Sequence, residues 1–167
     1  MDRTESAPTP GHMESETEVR RVSEVEVSVS RLFDAPRAAL FEAWTRPDRF
    51  MRWWAPKSMG VPIRSCEMDV RAGGGYRLEF GSDAGGTFAF YGRYLDVVPG
   101  ARLVWTNEEE PDGAVTTVTF EEAGGGTHVT YRETYPSRES CDEGYAAMAG
   151  CAAEQFGQLA DLLAEPA

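Results

Sequence analysis

Apolar and polar positions change period several times along this chain, and each change marks an element. Residues 22–33 alternate: Val25, Val27 and Val29 fall between Glu26, Ser28 and Ser30, the pattern of a half-buried strand. After Asp34-Ala35-Pro36 the spacing lengthens. Leu40, Phe41 and Trp44 recur at helical intervals, with Asp34 placed to cap the helix and Pro36 near its first turn. Pro47 ends that element, and a short second helix is predicted over residues 48–54 before Pro56 stops it. From residue 61 to residue 135 the punctuation is regular, at Gly73-Gly74-Gly75, Gly85-Gly86, Pro99-Gly100, Asp112-Gly113 and Gly124-Gly125-Gly126. It leaves room for successive strands of about ten residues joined by tight turns, an antiparallel meander. Ser137 then caps a final helix behind Pro136. Its apolar stripe runs through Cys141, Tyr145, Met148, Ala152, Phe156, Leu159 and Leu163 at spacings of three and four.

The predicted order is β-α-α, six strands, then a long helix. A single antiparallel sheet with one apolar face needs a cover, and the last helix supplies it. Three glycines inside that helix, Gly144, Gly150 and Gly157, each cost about 1 kcal/mol relative to alanine. Close packing against the sheet is the simpler reason for them; room for a ligand under the helix is the other. Residues 1–20 hold almost no large apolar side chains and cannot offset the entropy of ordering them, so a disordered acidic tail is expected there. Residues 21–165 then form a single domain.

Composition narrows the function. The chain has 167 residues and a net charge of -12, which argues against nucleic acid or an anionic lipid surface as partner. No apolar run approaches the length of a membrane span, and no N-terminal stretch has the form of a secretory signal. Cys66, Cys141 and Cys151 lack CxxC spacing and read as free thiols of a reducing cytosol. The charge is also polarised. Residues 1–24 carry -3, residues 107–112 carry -4 and residues 137–167 carry -5, leaving the rest neutral overall. Within that rest, residues 31–57 have an excess of +3, including Arg46, Arg49, Arg52 and Lys57. That corner either attracts an anionic head group or forms exposed ion pairs with the acidic final helix; the second is the simpler, but any anionic ligand is expected to enter there.

Groups for covalent or metal chemistry are scarce. His12 lies in the tail and His128 alternates opposite Val129 and Tyr131, so a solvated strand histidine is the simpler reading. No Ser-His-Asp set, HExxH or paired ligand spacing exists, and neither a metal nor a cofactor is expected. Glu67 and Asp69 share a strand face, where a surface pair bridged to Arg71 or Arg77 is favoured over acid–base work.

Several ordered motifs resemble one family. Phe33-Asp34-Ala35-Pro36, Leu40-Phe41-Glu42-Ala43-Trp44-Thr45, Pro47 and Arg52-Trp53-Trp54-Ala55-Pro56 resemble the opening signature of the SRPBCC (START-like, Bet v-type) superfamily. More closely, they resemble its bacterial branch named after the heat-shock protein 90 ATPase activator. Glu67-Met68-Asp69-Val70-Arg71-Ala72-Gly73-Gly74 is similar to that branch's second-strand motif. Gly92-Arg93-Tyr94-Leu95-Asp96-Val97-Val98-Pro99, Arg102-Leu103-Val104-Trp105-Thr106, residues 115–122 and Gly126-Thr127-His128-Val129-Thr130 continue the match in order. The resemblance spans residues 22–164. It implies an α+β helix-grip fold: a curved antiparallel sheet wrapped around a long C-terminal helix, with a cavity between them. The final helix departs from the family around Met148 to Glu154, where it is unusually small and alanine-rich.

Within such a fold the large side chains gain meaning as a set. Trp44, Trp53, Trp54, Met59, Met68, Tyr76, Phe80, Phe88, Phe90, Tyr94, Trp105, Tyr131, Tyr145, Met148 and Phe156 are the expected cavity lining. Trp53-Trp54 either closes the mouth or anchors the short helix. The leading expectation is a cytoplasmic protein that binds a small hydrophobic molecule without covalent chemistry. The alternatives implied by the resemblance are a cavity enzyme of polyketide cyclase type and a chaperone-contacting module. A homodimer is left open.

Overall fold

The computed structural model describes residues 17–82, 84–109 and 113–165. Its strands are β1 (Glu18–Arg21), β2 (Glu26–Phe33), β3 (Ile63–Met68), β4 (Gly75–Ser82), β5 (Gly86–Val98), β6 (Arg102–Thr106), β7 (Val115–Ala123) and β8 (Gly126–Thr134). Helix α1 is Arg37–Thr45, α2 is Pro47–Trp53 and α3 is Arg138–Leu163; a single 3-10 turn follows α2 at Lys57–Met59. The strands form one antiparallel sheet in the order β1-β2-β8-β7-β6-β5-β4-β3. Consecutive strands from β3 to β8 are neighbours, the meander that the glycine turns imply. The three helices lie over one face of the sheet, giving the α+β helix-grip arrangement.

Two expectations need correction. Order begins before residue 21: Glu18–Arg21 pairs with β2, placing Val19 opposite Val29, and the Arg21 guanidinium donates to Asp142 on α3. The arrangement is therefore ββ-α-α-β6-α. A tail's composition reports its poverty in core residues, whereas an edge strand is held by backbone hydrogen bonds that any sequence can make. The rest of the expected tail, residues 1–16, lies outside the described residues. Nor does Asp34 cap α1. Pro36 takes the N-cap position in extended conformation, without a side-chain bond. Ser137 does cap α3, its Oγ accepting from the Ser140 N–H at 3.1 Å.

The curvature of the sheet is concentrated in β5. Residues 86–93 of this strand pair with β4, and residues 94–98 pair with β6. At the changeover sits Gly92, so close to β6 that a Cβ there would lie 2.0 Å from the Thr106 carbonyl oxygen. Only glycine lets the two backbones approach in this way. Beyond this changeover the outermost strand, β3, packs against α2.

The core fills the concave side. Trp44 is central: its ring meets Phe50, Trp53 and Trp54 of the α2 region, Trp105 and Phe120 of the sheet, and Phe156 of α3, with centroids 4.6–6.3 Å apart. Helix α3 is anchored at its C-terminal half, where Phe156, Leu159 and Leu162 are buried. There Gln155 donates to the Trp54 carbonyl (2.6 Å), and Gln158 donates to those of Trp53 and Ala55 (2.9 Å each). These amides satisfy carbonyls freed by the end of α2.

The helix glycines separate into two kinds. A Cβ at Gly144 would lie 2.0 Å from Tyr135 Oη, whereas one at Gly150 or Gly157 meets nothing within 4 Å. Close packing explains Gly144 and neither of the others. Gly144→Ala is therefore expected to destabilise by about 1–3 kcal/mol through overpacking, while Gly150→Ala stabilises by up to about 1 kcal/mol. Urea unfolding of the two variants checks the opposite signs.

Candidate functional site

A cavity of about 480 Å³ opens between the concave sheet face and the N-terminal half of α3. From α3 it is lined by Ser140, Gly144 and Ala147, which are small, and by Glu143 at the rim. Its floor is aromatic. Trp44 and Tyr131 each meet Trp54 and Trp105 at centroid separations of 5.8–6.3 Å, and Tyr76, Leu78 and Tyr94 extend the wall along β4 and β5. Trp44 and Tyr94 are almost wholly buried, while Phe90, Pro136, Glu143 and Ala147 are exposed and form the rim.

The polar groups gather at one end, around Glu133 of β8. Its Oε2 accepts from Tyr131 Oη (2.7 Å) and Thr116 Oγ1 (3.1 Å), and its Oε1 accepts from Tyr135 Oη. Asn107 donates to Thr116 Oγ1 (3.0 Å) and to the Ala114 carbonyl (2.8 Å), while Tyr76 Oη donates to the Thr106 carbonyl (2.7 Å). The side chains at 131, 133 and 135 share one face because strand positions alternate. Burial pushes the phenols of Tyr76, Tyr94, Tyr131 and Tyr135 above their ordinary value, and the Glu133 carboxylate pushes those of Tyr131 and Tyr135 further in the same direction. These phenols thus stay protonated and act as donors.

The structure brings together Trp44, Trp54, Met68, Tyr76, Phe90, Tyr94, Trp105 and Tyr131 at the cavity, out of the lining set expected from sequence. It places the others elsewhere. Trp53 is wholly buried and donates from Nε1 to the Ala43 carbonyl at 2.9 Å, so it anchors α2 to α1. Phe156 belongs to the packed core, and Met148 is half-buried against it. Phe80 is buried and stacks on Phe88, which is half-exposed beside the rim. Met59 is exposed on the 3-10 turn, and Tyr145 is half-buried on α3 outside the lining.

The polar lining was missed: Asn107, Glu109, Glu133, Tyr135, Ser140 and Glu143. A signal existed for Glu133 and Tyr135, since both alternate with inward-facing Tyr131. The basic corner is also corrected as an anion portal. Arg46, Arg49, Arg52 and Lys57 do not line the cavity; Arg52 instead pairs with Glu165 beyond α3 at 2.7 Å, the ion-pair alternative. Arg71 similarly takes Asp69 at 3.0 Å on the surface. His128 is half-buried opposite Leu32 and Glu121, outside the cavity. Burial pushes the Cys66 thiol up to about 11, which makes it a packing residue rather than a nucleophile. Among the described residues no group of three or more His, Cys, Asp or Glu is placed to hold a metal ion, and no helix is long and apolar enough to cross a membrane.

A curved sheet gripping a helix over a cavity defines a helix-grip protein, and comparison with known proteins agrees. Residues 34–164 match the family described as Activator of Hsp90 ATPase homolog 1-like protein, and the chain belongs to that family, within the SRPBCC superfamily. A crystal structure of a Rhodobacter sphaeroides protein is similar with a TM-score of 0.81 at 26% identity, covering 89% of this chain and 98% of that one. A Nitrosomonas europaea protein is similar at 0.76 and 20% identity (86% and 96% covered), and an AHSA1-like protein from Aeromonas hydrophila at 0.69 and 22% identity (85% and 98% covered). No curated protein matches the chain.

The cavity tyrosines make a pH prediction. Above the ordinary phenol value of 10, the unfolded chain loses protons that the folded chain keeps. Stability contributed by these groups is thus present below that pH and is lost as pH rises, by up to about 1.4 kcal/mol per pH unit for each tyrosine. In an alkaline titration, part of the tyrosinate absorbance is expected to appear only together with loss of the near-UV circular dichroism. Complete ionisation in the folded protein would contradict the burial described above.

Proposed function

We propose that the protein binds a small, largely apolar molecule in the cavity under α3, without forming a covalent bond to it. The observation that carries this reading is the cavity itself. Its volume of about 480 Å³ lies within the range of about 300–1,000 Å³ common for ligand sites, and its lining has the usual composition of an apolar wall with a few convergent polar groups. The tyrosines support binding over proton transfer. An effective acid or base needs a pKa near the working pH, and burial moves these phenols away from it.

Nile red, a neutral dye that brightens in apolar surroundings, tests the reading. It is expected to bind, to be displaced by small apolar molecules and to raise the unfolding temperature. Ala147→Trp at the exposed rim is expected to abolish dye binding while leaving the fold intact. Absence of dye binding, together with no co-purifying molecule in native mass spectrometry, would overturn the proposal, as would binding indifferent to Ala147→Trp. The family description also supports a chaperone-associated role. Such a role would use an exposed surface, so chaperone capture insensitive to Ala147→Trp would favour it.

A further inference from the structure

Resting on the cavity-binding reading above, we infer that the ligand is a cation: an apolar or aromatic body carrying a protonated amine. The cavity is the site, and its side chains set its electrical sign. Glu109, Glu133 and Glu143 line it, and among the described residues no Lys, Arg or His does. Glu133 matters most because it is half-buried and lies beside the aromatic floor. An ionised carboxylate accepts about four hydrogen bonds. The hydroxyls of Thr116, Tyr131 and Tyr135 use three of those sites and leave capacity on Oε1. All three partners donate, which is the arrangement that suits a carboxylate rather than a carboxylic acid. The phenols keep their protons and so face Glu133 as neutral donors.

The aromatic floor adds a second attraction of the same sign. Trp44, Trp54, Trp105 and Tyr131 line the same cavity as Glu133, and aromatic rings carry negative quadrupole density on their faces. A cation there gains from both the rings and the carboxylate. A neutral ligand gains neither, and an anion meets like charge with no base in the lining. The nearest arginine on β5, Arg93, is paired with Glu108 at 2.9 Å. The basic corner at Arg46 to Lys57 contributes no residue to this lining.

Three matched molecules test the charge: naphthylethylamine, ethylnaphthalene and naphthylacetate, each competing with Nile red at neutral pH. The amine is expected to bind at least about tenfold more tightly than the acid, with the hydrocarbon between them. Because the whole chain is acidic, the series is repeated in about 0.5 M salt, where long-range attraction is screened and a preference set inside the cavity persists. Glu133→Gln is expected to reduce the preference severalfold. Should that variant fail to fold, Glu143→Gln at the exposed rim is expected to reduce it at low salt. If the hydrocarbon displaces the dye and the amine binds no better than the acid, the charge inference is overturned and the cavity reading stands. A preference that vanishes in salt, or that survives both substitutions, overturns it equally. If Nile red itself does not bind, the cavity reading fails instead.

Discussion

The packing of Trp44 ties the layers of this protein together. Its indole lies where α1, α2, α3 and the middle of the sheet converge, in ring contact with residues from each. An aromatic side chain buries a large apolar area, and edge-to-face contacts add about 0.5–1.5 kcal/mol each beyond that area. The short helices α1 and α2, of nine and seven residues, are too short to persist alone. They hold their places because Trp44 and Trp53 lock them to one another and to the core. The same indole is also the innermost wall of the cavity, so the residue that closes the core is the residue a ligand would rest upon.

From that fixed point the cavity follows as a matter of side-chain size. Beyond Ala152, α3 presents Phe156, Leu159 and Leu162 to the sheet, and its glutamines bind the carbonyls at the end of α2. The first half of the helix is held too, by buried Cys141 and the Arg21–Asp142 pair, but toward the cavity it offers Ser140, Gly144 and Ala147, with Glu143 at the rim. Large side chains on the sheet and small ones on the helix leave a void that neither element can collapse to fill.

Much of this was legible in the residues. Strict alternation in β2 buries Val27 and Val29, the glycine turns set the meander, and Ser137 caps α3. Of the bases at the Arg46 corner, Arg52 pairs with Glu165 just past α3, as the ion-pair reading expects, whereas Arg46 pairs locally with Asp48. The candidate site was half visible. Tyr76, Phe90, Tyr94, Trp105 and Tyr131, on the inward phase of β4, β5, β6 and β8, line the cavity, whereas Phe80 and Phe88 on the same phase stack on each other beyond it. Periodicity does not say whether a neighbouring helix covers that face or stands off from it. For that reason Phe156 and Trp53 went to the packed core, while Phe90 and Trp54, equally apolar, went to the wall.

The sequence by itself determined the order of elements from β2 onward and the face each strand side chain would take, because local rules of period and turn act within a few residues; its ordered motifs carried the resemblance to the family. Tertiary structure alone decided that Glu18–Arg21 would join the sheet as its edge. It also decided that Thr116 of β7 would join Tyr131 and Tyr135 in surrounding the Glu133 carboxylate with hydroxyl donors. A net charge of -12 says nothing about the sign inside a cavity. That sign depends on which few charges the fold brings to the same space, and here they are Glu109, Glu133 and Glu143.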